Sequence, residues 1–132
     1  RLVEHAAVAK VHFPSLHVGA QAELYRKQMR GPGALMAVEL HQGYVAAATV
    51  LAAVKLCTPA VSLGSVDTLI QHPAGLTHRV LSEQARQQHG ISAGLIRLSI
   101  GIEHVEDIWQ DIEQALNSVA SIDTKPRVLA SV

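Results

Sequence analysis

Hydrophobic positions along this 132-residue chain change their period several times, and each change marks a predicted element. The clearest helical period lies towards the C-terminal end. Val105, Ile108, Trp109, Ile112, Leu116 and Val119 recur at three- and four-residue spacing, which predicts one apolar stripe on a helix over Glu103–Ala120. Asp107, Asp111 and Glu113 are expected to keep the remaining surface of that helix in water. Just before it, LIRLSIG alternates with period two. Ile96, Leu98 and Ile100 fall on one face of a strand, and Leu95, Arg97 and Ser99 on the other. The first face is expected to pack against the terminal helix.

Upstream the patterns are shorter. A weak helix or turn at the start leads into an extended segment around Ala9–Phe13, where Phe13 precedes a proline and is biased away from helix. After the SLHVG turn, Ala20–Met29 is rich in helix formers, and Gly31-Pro32-Gly33 ends it. Ala34–Leu40 is short, apolar and free of breakers, and reads as a strand. Gly43 opens an alanine-rich helix expected to run to near Thr58-Pro59, with side chains small enough to sit close to a sheet. Val61–Leu63 reads as extended, and Ser65–Gln71 as a short helix capped by Ser65. Ser82 is a good N-cap for EQARQQH, with Gly90 just past its end. The order is strand, helix, strand, helix, an irregular stretch, strand, helix. It predicts an α/β fold: an open sheet with helices on one side.

Composition narrows the class. Apolar residues make up 48% and charged residues 17%, a globular balance in a chain long enough for one real core. Eleven Lys+Arg against eleven Asp+Glu leave no electrostatic footprint for nucleic acid. The single cysteine, Cys57, excludes an internal disulfide and fits a reducing compartment, so a cytoplasmic location is expected. The alanine-rich run is interrupted by Lys55 and reads as a buried helix rather than a membrane span. No signal-peptide pattern is visible in these residues. The chain opens on Arg1 inside a helix-like pattern, as a piece of something longer would.

Candidate chemistry centres on Arg97. A guanidinium on the polar face of an apolar strand must reach water or meet an anion, and its planar fork matches a carboxylate. The competing reading is an internal ion pair with Asp67 or Glu39, or a side chain extended to solvent. Ser62, with Leu63 and Gly64, offers a hydroxyl and a backbone open to close approach, although a serine before a glycine also makes an ordinary turn. His72 and His78 are possible anion contacts or loop histidines satisfied by backbone. Metal chemistry is not supported: eight histidines occur without HExxH, paired cysteines or a clustered ligand set. GPGALM is followed by a strand pattern, which excludes a dinucleotide or phosphate loop, and there is no GxSxG elbow. Cys57 reads as core rather than nucleophile, and the scattered aromatics form no ladder for bases. These residues make an anion-reading half-site without an acid–base partner.

Ala60–His78 (AVSLGSVDTLIQHPAGLTH) and His89–Leu116 (HGISAGLIRLSIGIEHVEDIWQDIEQAL) resemble a known pair of signatures. With the upstream VHFPSL and AELYRKQMRGPGALMAVEL, they are similar to the C-terminal domain of the cystathionine γ-synthase, cystathionine lyase and methionine γ-lyase family. That family is the Cys/Met-metabolism branch of fold-type I pyridoxal-phosphate (PLP) enzymes, and the resemblance runs from Leu2 to Val119 without a break. It implies an α/β fold of the α+β type: a two-layer sandwich with a mainly antiparallel sheet and helices on one face. Residues 1–120 would be a substrate-carboxylate-binding domain shortened at its N-terminus, and 121–132 a loosely packed tail. Arg97 would clamp the α-carboxylate of a sulfur-containing or acylated-homoserine-type amino acid, with Ser62 beside it. Leu63, Gly64, His72, Thr77 and His78 would line the approach.

The resemblance also implies what is missing. The cofactor-binding lysine would belong to a large N-terminal domain outside this chain, and none of Lys10, Lys27, Lys55 and Lys125 matches it. Leu76 departs from relatives that often carry methionine there, and keeps the position apolar. The parent would be a homo-oligomer carrying out γ-elimination or γ-replacement, and the 132 residues alone would be inactive. The alternative is a free-standing, non-catalytic anion-binding or interaction module derived from the same fold.

Overall fold

The computed structural model describes residues 1–119. Ala120, the expected end of the last helix, and the tail 121–132 lie outside the described residues. A single 3-10 turn at Leu2–Glu4 leads into β1 (Val8–His12), and a second at Pro14–Leu16 leads into α1 (Gly19–Gln28). Then follow β2 (Leu35–Leu40), α2 (Gly43–Ala53), β3 (Thr58–Pro59), β4 (Leu69–Gln71), α3 (Glu83–Gln88), β5 (Leu95–Ser99) and α4 (Val105–Val119). The strands form one five-stranded sheet in the order β1-β2-β5-β4-β3. The pairs β1·β2, β2·β5 and β4·β5 are antiparallel, while the short β3 runs parallel to β4.

The mixed α/β architecture read from the sequence is present, and β5 occupies the middle of the sheet. Its alternation decides where the core lies. Ile96 and Leu98 are buried, beside Val38 and Leu40 of β2 and Ile70 of β4. Against them pack Ala46, Ala47 and Val50 of α2, and Ile108, Ile112, Ala115, Leu116 and Val119 of α4. Small residues let α2 come close, since Ala46 and Ala47 are fully enclosed. Two members of the α4 stripe stay out of the core: Val105 starts the helix, a turn ahead of the packed part, and is 66% exposed, while Trp109 is half-buried under Arg1. The short α3 has its cap where the sequence puts it, with Ser82 Oγ accepting from the Ala85 N–H (3.2 Å). Among the described residues, no helix is long and apolar enough to cross a membrane.

Two predicted helices need correction, and hydrogen bonding explains both; the extended segment expected at Val61–Leu63 is not a strand, the short β3 lying at Thr58–Pro59 instead. The alanine-rich helix stops at Ala53, well short of Thr58, because the following backbone N–H groups are taken by a side chain of α4. The Asp111 carboxylate accepts from Lys55 N (2.7 Å), Leu56 N (2.9 Å) and Cys57 N (2.8 Å). Gln114, one turn further along, donates to the Ala53 carbonyl (2.7 Å) at the end of α2. Asp111, expected in water, is therefore 7% exposed and fastens α4 to the α2–β3 link. The second correction concerns Ser65–Gln71. Leu69–Gln71 is strand rather than helix, because its backbone is taken up in pairing with β5. Ser65 donates its hydroxyl to the Asp67 carboxylate instead of capping a helix.

The charge state of Asp111 follows from its surroundings. Burial acts to raise its pKa, but the N–H groups of Cys57, Lys55 and Leu56 outweigh it and hold the carboxyl below its usual value. Burial and the neighbouring Asp111 charge push the Cys57 thiol up to about 12, so it stays an inert core thiol at neutral pH.

Because the folded-state pKa of Asp111 is depressed, the stability it contributes is present above the unfolded value of about 3.9 and is lost as pH falls through the folded one. Asp111→Ala is expected to cost on the order of 3 kcal/mol, since three backbone donors lose a charged acceptor. Asp111→Asn, with one acceptor oxygen in place of two, is expected to cost less. Urea unfolding at pH 7 and at pH 3 checks both: the gap between wild type and Asp111→Ala should narrow at the lower pH.

Candidate functional site

The face of β5 turned away from the core carries Leu95, Arg97 and Ser99, and a loop over residues 62–67 is tied along it. Arg97 Nη2 donates to the Ser62 carbonyl (2.6 Å). The Gly64 N–H donates to Ser99 Oγ (3.0 Å), and the Ile102 N–H to the Val66 carbonyl (2.8 Å). Gly64 adopts a φ of +74°, the left-handed conformation that favours glycine, and this bends the loop back onto the strand. Ser62, Leu63 and Gly64 are exposed, whereas Arg97 is half-buried. The contact from Ser62 is made by its backbone carbonyl, not its hydroxyl.

The loop is closed at its far end by a second carboxylate. Glu103 accepts from the Thr68 N–H (2.6 Å) and the Thr68 hydroxyl (2.8 Å), and Thr68 Oγ1 accepts in turn from the Gly101 N–H (3.0 Å). The Thr68 N–H, chiefly, holds the Glu103 carboxyl below its usual pKa. Gly101 is crossed so closely by the loop that a Cβ there would run into the Val66 carbonyl and the Glu103 carboxylate.

Neither ion pair open to Arg97 in the sequence is formed. Asp67 is held by Ser65, while Glu39 sits 2.5 Å from His12 Nε2, a contact that lowers the glutamate pKa. Among the described residues Arg97 has no carboxylate partner; its Nε is buried without a hydrogen-bond partner. The guanidinium is anchored by a neutral carbonyl, and its charge is not offset by a carboxylate among the described residues.

The other expected residues divide into two groups. Gln71 lies opposite Arg97 across the β4·β5 ladder and donates through Nε2 to Thr77 Oγ1 (2.8 Å). Thr77 Oγ1 lies 2.8 Å from His78 Nδ1, so Thr77 and His78 are joined to the Arg97 row through Gln71. His72 points elsewhere: it is buried, its Nε2–H donates to the Ala93 carbonyl (2.9 Å), and its ring meets Tyr44 edge-on at 4.7 Å. Burial lowers its pKa and favours the neutral ring. Thr68, Ser99, Gly101 and Glu103 were missed as supports of this loop. The sequence signal was a polar threonine heading an apolar strand, and a glycine–glutamate pair directly after β5.

This geometry can hold an anion but supplies no acid–base pair beside it. Among the described residues, no group of three or more His, Cys, Asp or Glu side chains could hold a metal. A family model for the Cys/Met metabolism PLP-dependent enzymes matches residues 2–117. The chain belongs to that family.

Individual relatives agree. An L-methionine gamma-lyase from Fusobacterium nucleatum is 46% identical over 118 residues, which is 89% of this chain and 30% of that protein. One from Porphyromonas gingivalis is also 46% identical over the same shares. Among solved structures, a cystathionine gamma lyase from Micromonospora echinospora superposes with a TM-score of 0.81 at 40% identity, covering 88% of this chain and 30% of that one. A cystathionine gamma synthase from Xanthomonas oryzae, in complex with aminoacrylate and cysteine, gives 0.81 at 41% identity, covering 90% and 31%. The chain thus spans about 30% of the length of the curated relatives it matches. Pyridoxal phosphate is the cofactor of this PLP family. The lysines of the described residues, Lys10, Lys27 and Lys55, are exposed on β1, on α1 and after α2.

Gly101→Ala is expected to displace the 62–67 loop and to destabilise the fold by about 1–3 kcal/mol. Thermal unfolding measures the cost. An unchanged melting temperature would show that the loop has room the close contacts deny.

Proposed function

We propose that this chain is the C-terminal, substrate-carboxylate-binding domain of a PLP-dependent sulfur-amino-acid enzyme. It would be a two-layer sandwich of sheet and helices closing over a site that the rest of the polypeptide completes. The observation that carries the reading is Arg97: a half-buried guanidinium on the polar face of the central strand, held by a backbone carbonyl and left without a carboxylate partner among the described residues. The names of the relatives support a sulfur-containing amino acid as substrate, and γ-elimination or γ-replacement as the reaction; an acylated-homoserine-type substrate belongs to the same proposal.

In this reading Arg97 takes the α-carboxylate through two parallel N–H···O bonds, in a cleft kept partly dry by the covering domain. Ser62 contributes its carbonyl to the guanidinium, and its hydroxyl and the adjoining backbone face the same carboxylate. Leu63 and Gly64 bound the approach, and Thr77 and His78 stand further out. The cofactor supplies the electron sink; the residues of this chain bind and orient. Arg97 fixes which bond at Cα is aligned and moves no proton. The cofactor lysine belongs to the other part of the parent, which is a cytoplasmic homo-oligomer, and the 132 residues alone are inactive.

In the full-length protein, Arg97→Ala is expected to lower kcat/KM for the amino-acid substrate by about 100-fold or more, roughly 3 kcal/mol, with the fold intact. An unchanged kcat/KM would defeat the clamp. Ser62→Ala preserves the carbonyl that Arg97 uses, so its loss is expected to stay below about tenfold.

A further inference from the structure

Gln71 and Arg97 are directly opposed across the β4·β5 pair, so their side chains rise from the same face of the sheet a few ångströms apart. Gln71 is 2% exposed. Its amide nitrogen donates to Thr77 Oγ1, and the opposite orientation would set a second donor against the Arg97 Nε–H. The remaining end, Oε1, is a buried acceptor without a hydrogen-bond partner among the described residues, and Arg97 Nε is a buried donor in the same position. A buried polar atom left unmade costs as much as a lost hydrogen bond, and here two complementary ones occupy one cross-strand pair.

We infer that Gln71 is a positioning residue for Arg97, engaging the Nε–H directly or through one bridging water so that the guanidinium is held at two points. A water suits the pair, because it accepts from Nε–H and donates to Oε1. A carboxylate does not, since it would meet the amide oxygen with its own negative charge. The ligand therefore cannot be gripped side-on through Nε. With Nε turned to Gln71 and Nη2 keeping one hydrogen beyond its bond to the Ser62 carbonyl, the contact we infer for the ligand is end-on, through Nη1 and Nη2. Thr77 acts one step behind, by fixing the amide; its own Oγ1 is steadied by His78 Nδ1. Gln71 sets the plane and Arg97 makes the contact.

The inference rests on the carboxylate-clamp reading, and the test separates the two. The full-length holo protein is titrated calorimetrically with L-norleucine, an amino acid without a γ-leaving group, and with L-norleucinol, which lacks the carboxylate. Gln71→Leu is expected to weaken L-norleucine about tenfold and leave L-norleucinol unchanged. A general loosening of the structure would weaken both equally, and that result, or no loss for either, overturns the positioning role. Arg97→Ala is titrated beside it. If Arg97→Ala weakens L-norleucine and Gln71→Leu does not, only this inference falls; if Arg97→Ala has no effect, the clamp falls with it. Should Gln71→Leu fail to fold, a high-resolution crystal structure of the unaltered holo protein decides. Gln71 Oε1 on Arg97 Nε, directly or through one water, is the expected result, and an amide turned away from the arginine is the contrary one.

Discussion

Everything in this domain hangs on β5 serving two different environments at once. The strand sits between β2 and β4, and its period-two alternation sends Ile96 and Leu98 into the core while Arg97 and Ser99 stand on the opposite side. A slip of one residue would exchange those faces, burying a guanidinium among α2 and α4. The apolar face fixes the register strongly, and the position of Arg97 follows from it. The placement of a charged side chain is thus set by its uncharged neighbours.

Two carboxylates then do similar work at different places. Asp111 collects the N–H groups of Lys55, Leu56 and Cys57, ending α2 and joining it to α4. Glu103 collects the N–H and hydroxyl of Thr68, bringing the start of β4 against the turn after β5. Each replaces regular secondary structure by a charge-assisted contact between a side chain and an irregular segment. One defines the far side of the core; the other closes the loop that carries Ser62. On the polar face itself the acidic side chain nearest in register to Arg97, Glu39, is taken up by His12.

Much of the architecture was legible in the sequence because its period is local. The stripe on α4, the alternation of β5, the cap at Ser82 and the breaker run after α1 could all be read from neighbouring residues. What escaped was set by partners distant in the chain. Asp111 reads as a surface residue until the N–H groups of residues 55–57 are placed against it. Ser65–Gln71 has a helix-like cap, but pairing with β5 takes up the backbone at its end. The place of Arg97 on the polar face of β5 could be read from the alternation alone. Its anchor could not, because a backbone carbonyl has no signature in the side-chain sequence. The family likeness named the family that the family model matches, and said nothing of Thr68, Glu103 or the close approach at Gly101.

The two margins of the sheet are both poor templates. β3 has two residues, one of them Pro59, which has no N–H to offer a further strand. On the opposite margin, β1 changes register between Val8 and Lys10 and carries an exposed lysine in its middle. Growth by strand addition is discouraged in both directions. Any larger assembly built on this domain is therefore steered towards the broad surfaces of the sheet and its helices. One of those surfaces is filled by α2 and α4, and the other is the one on which Arg97 stands.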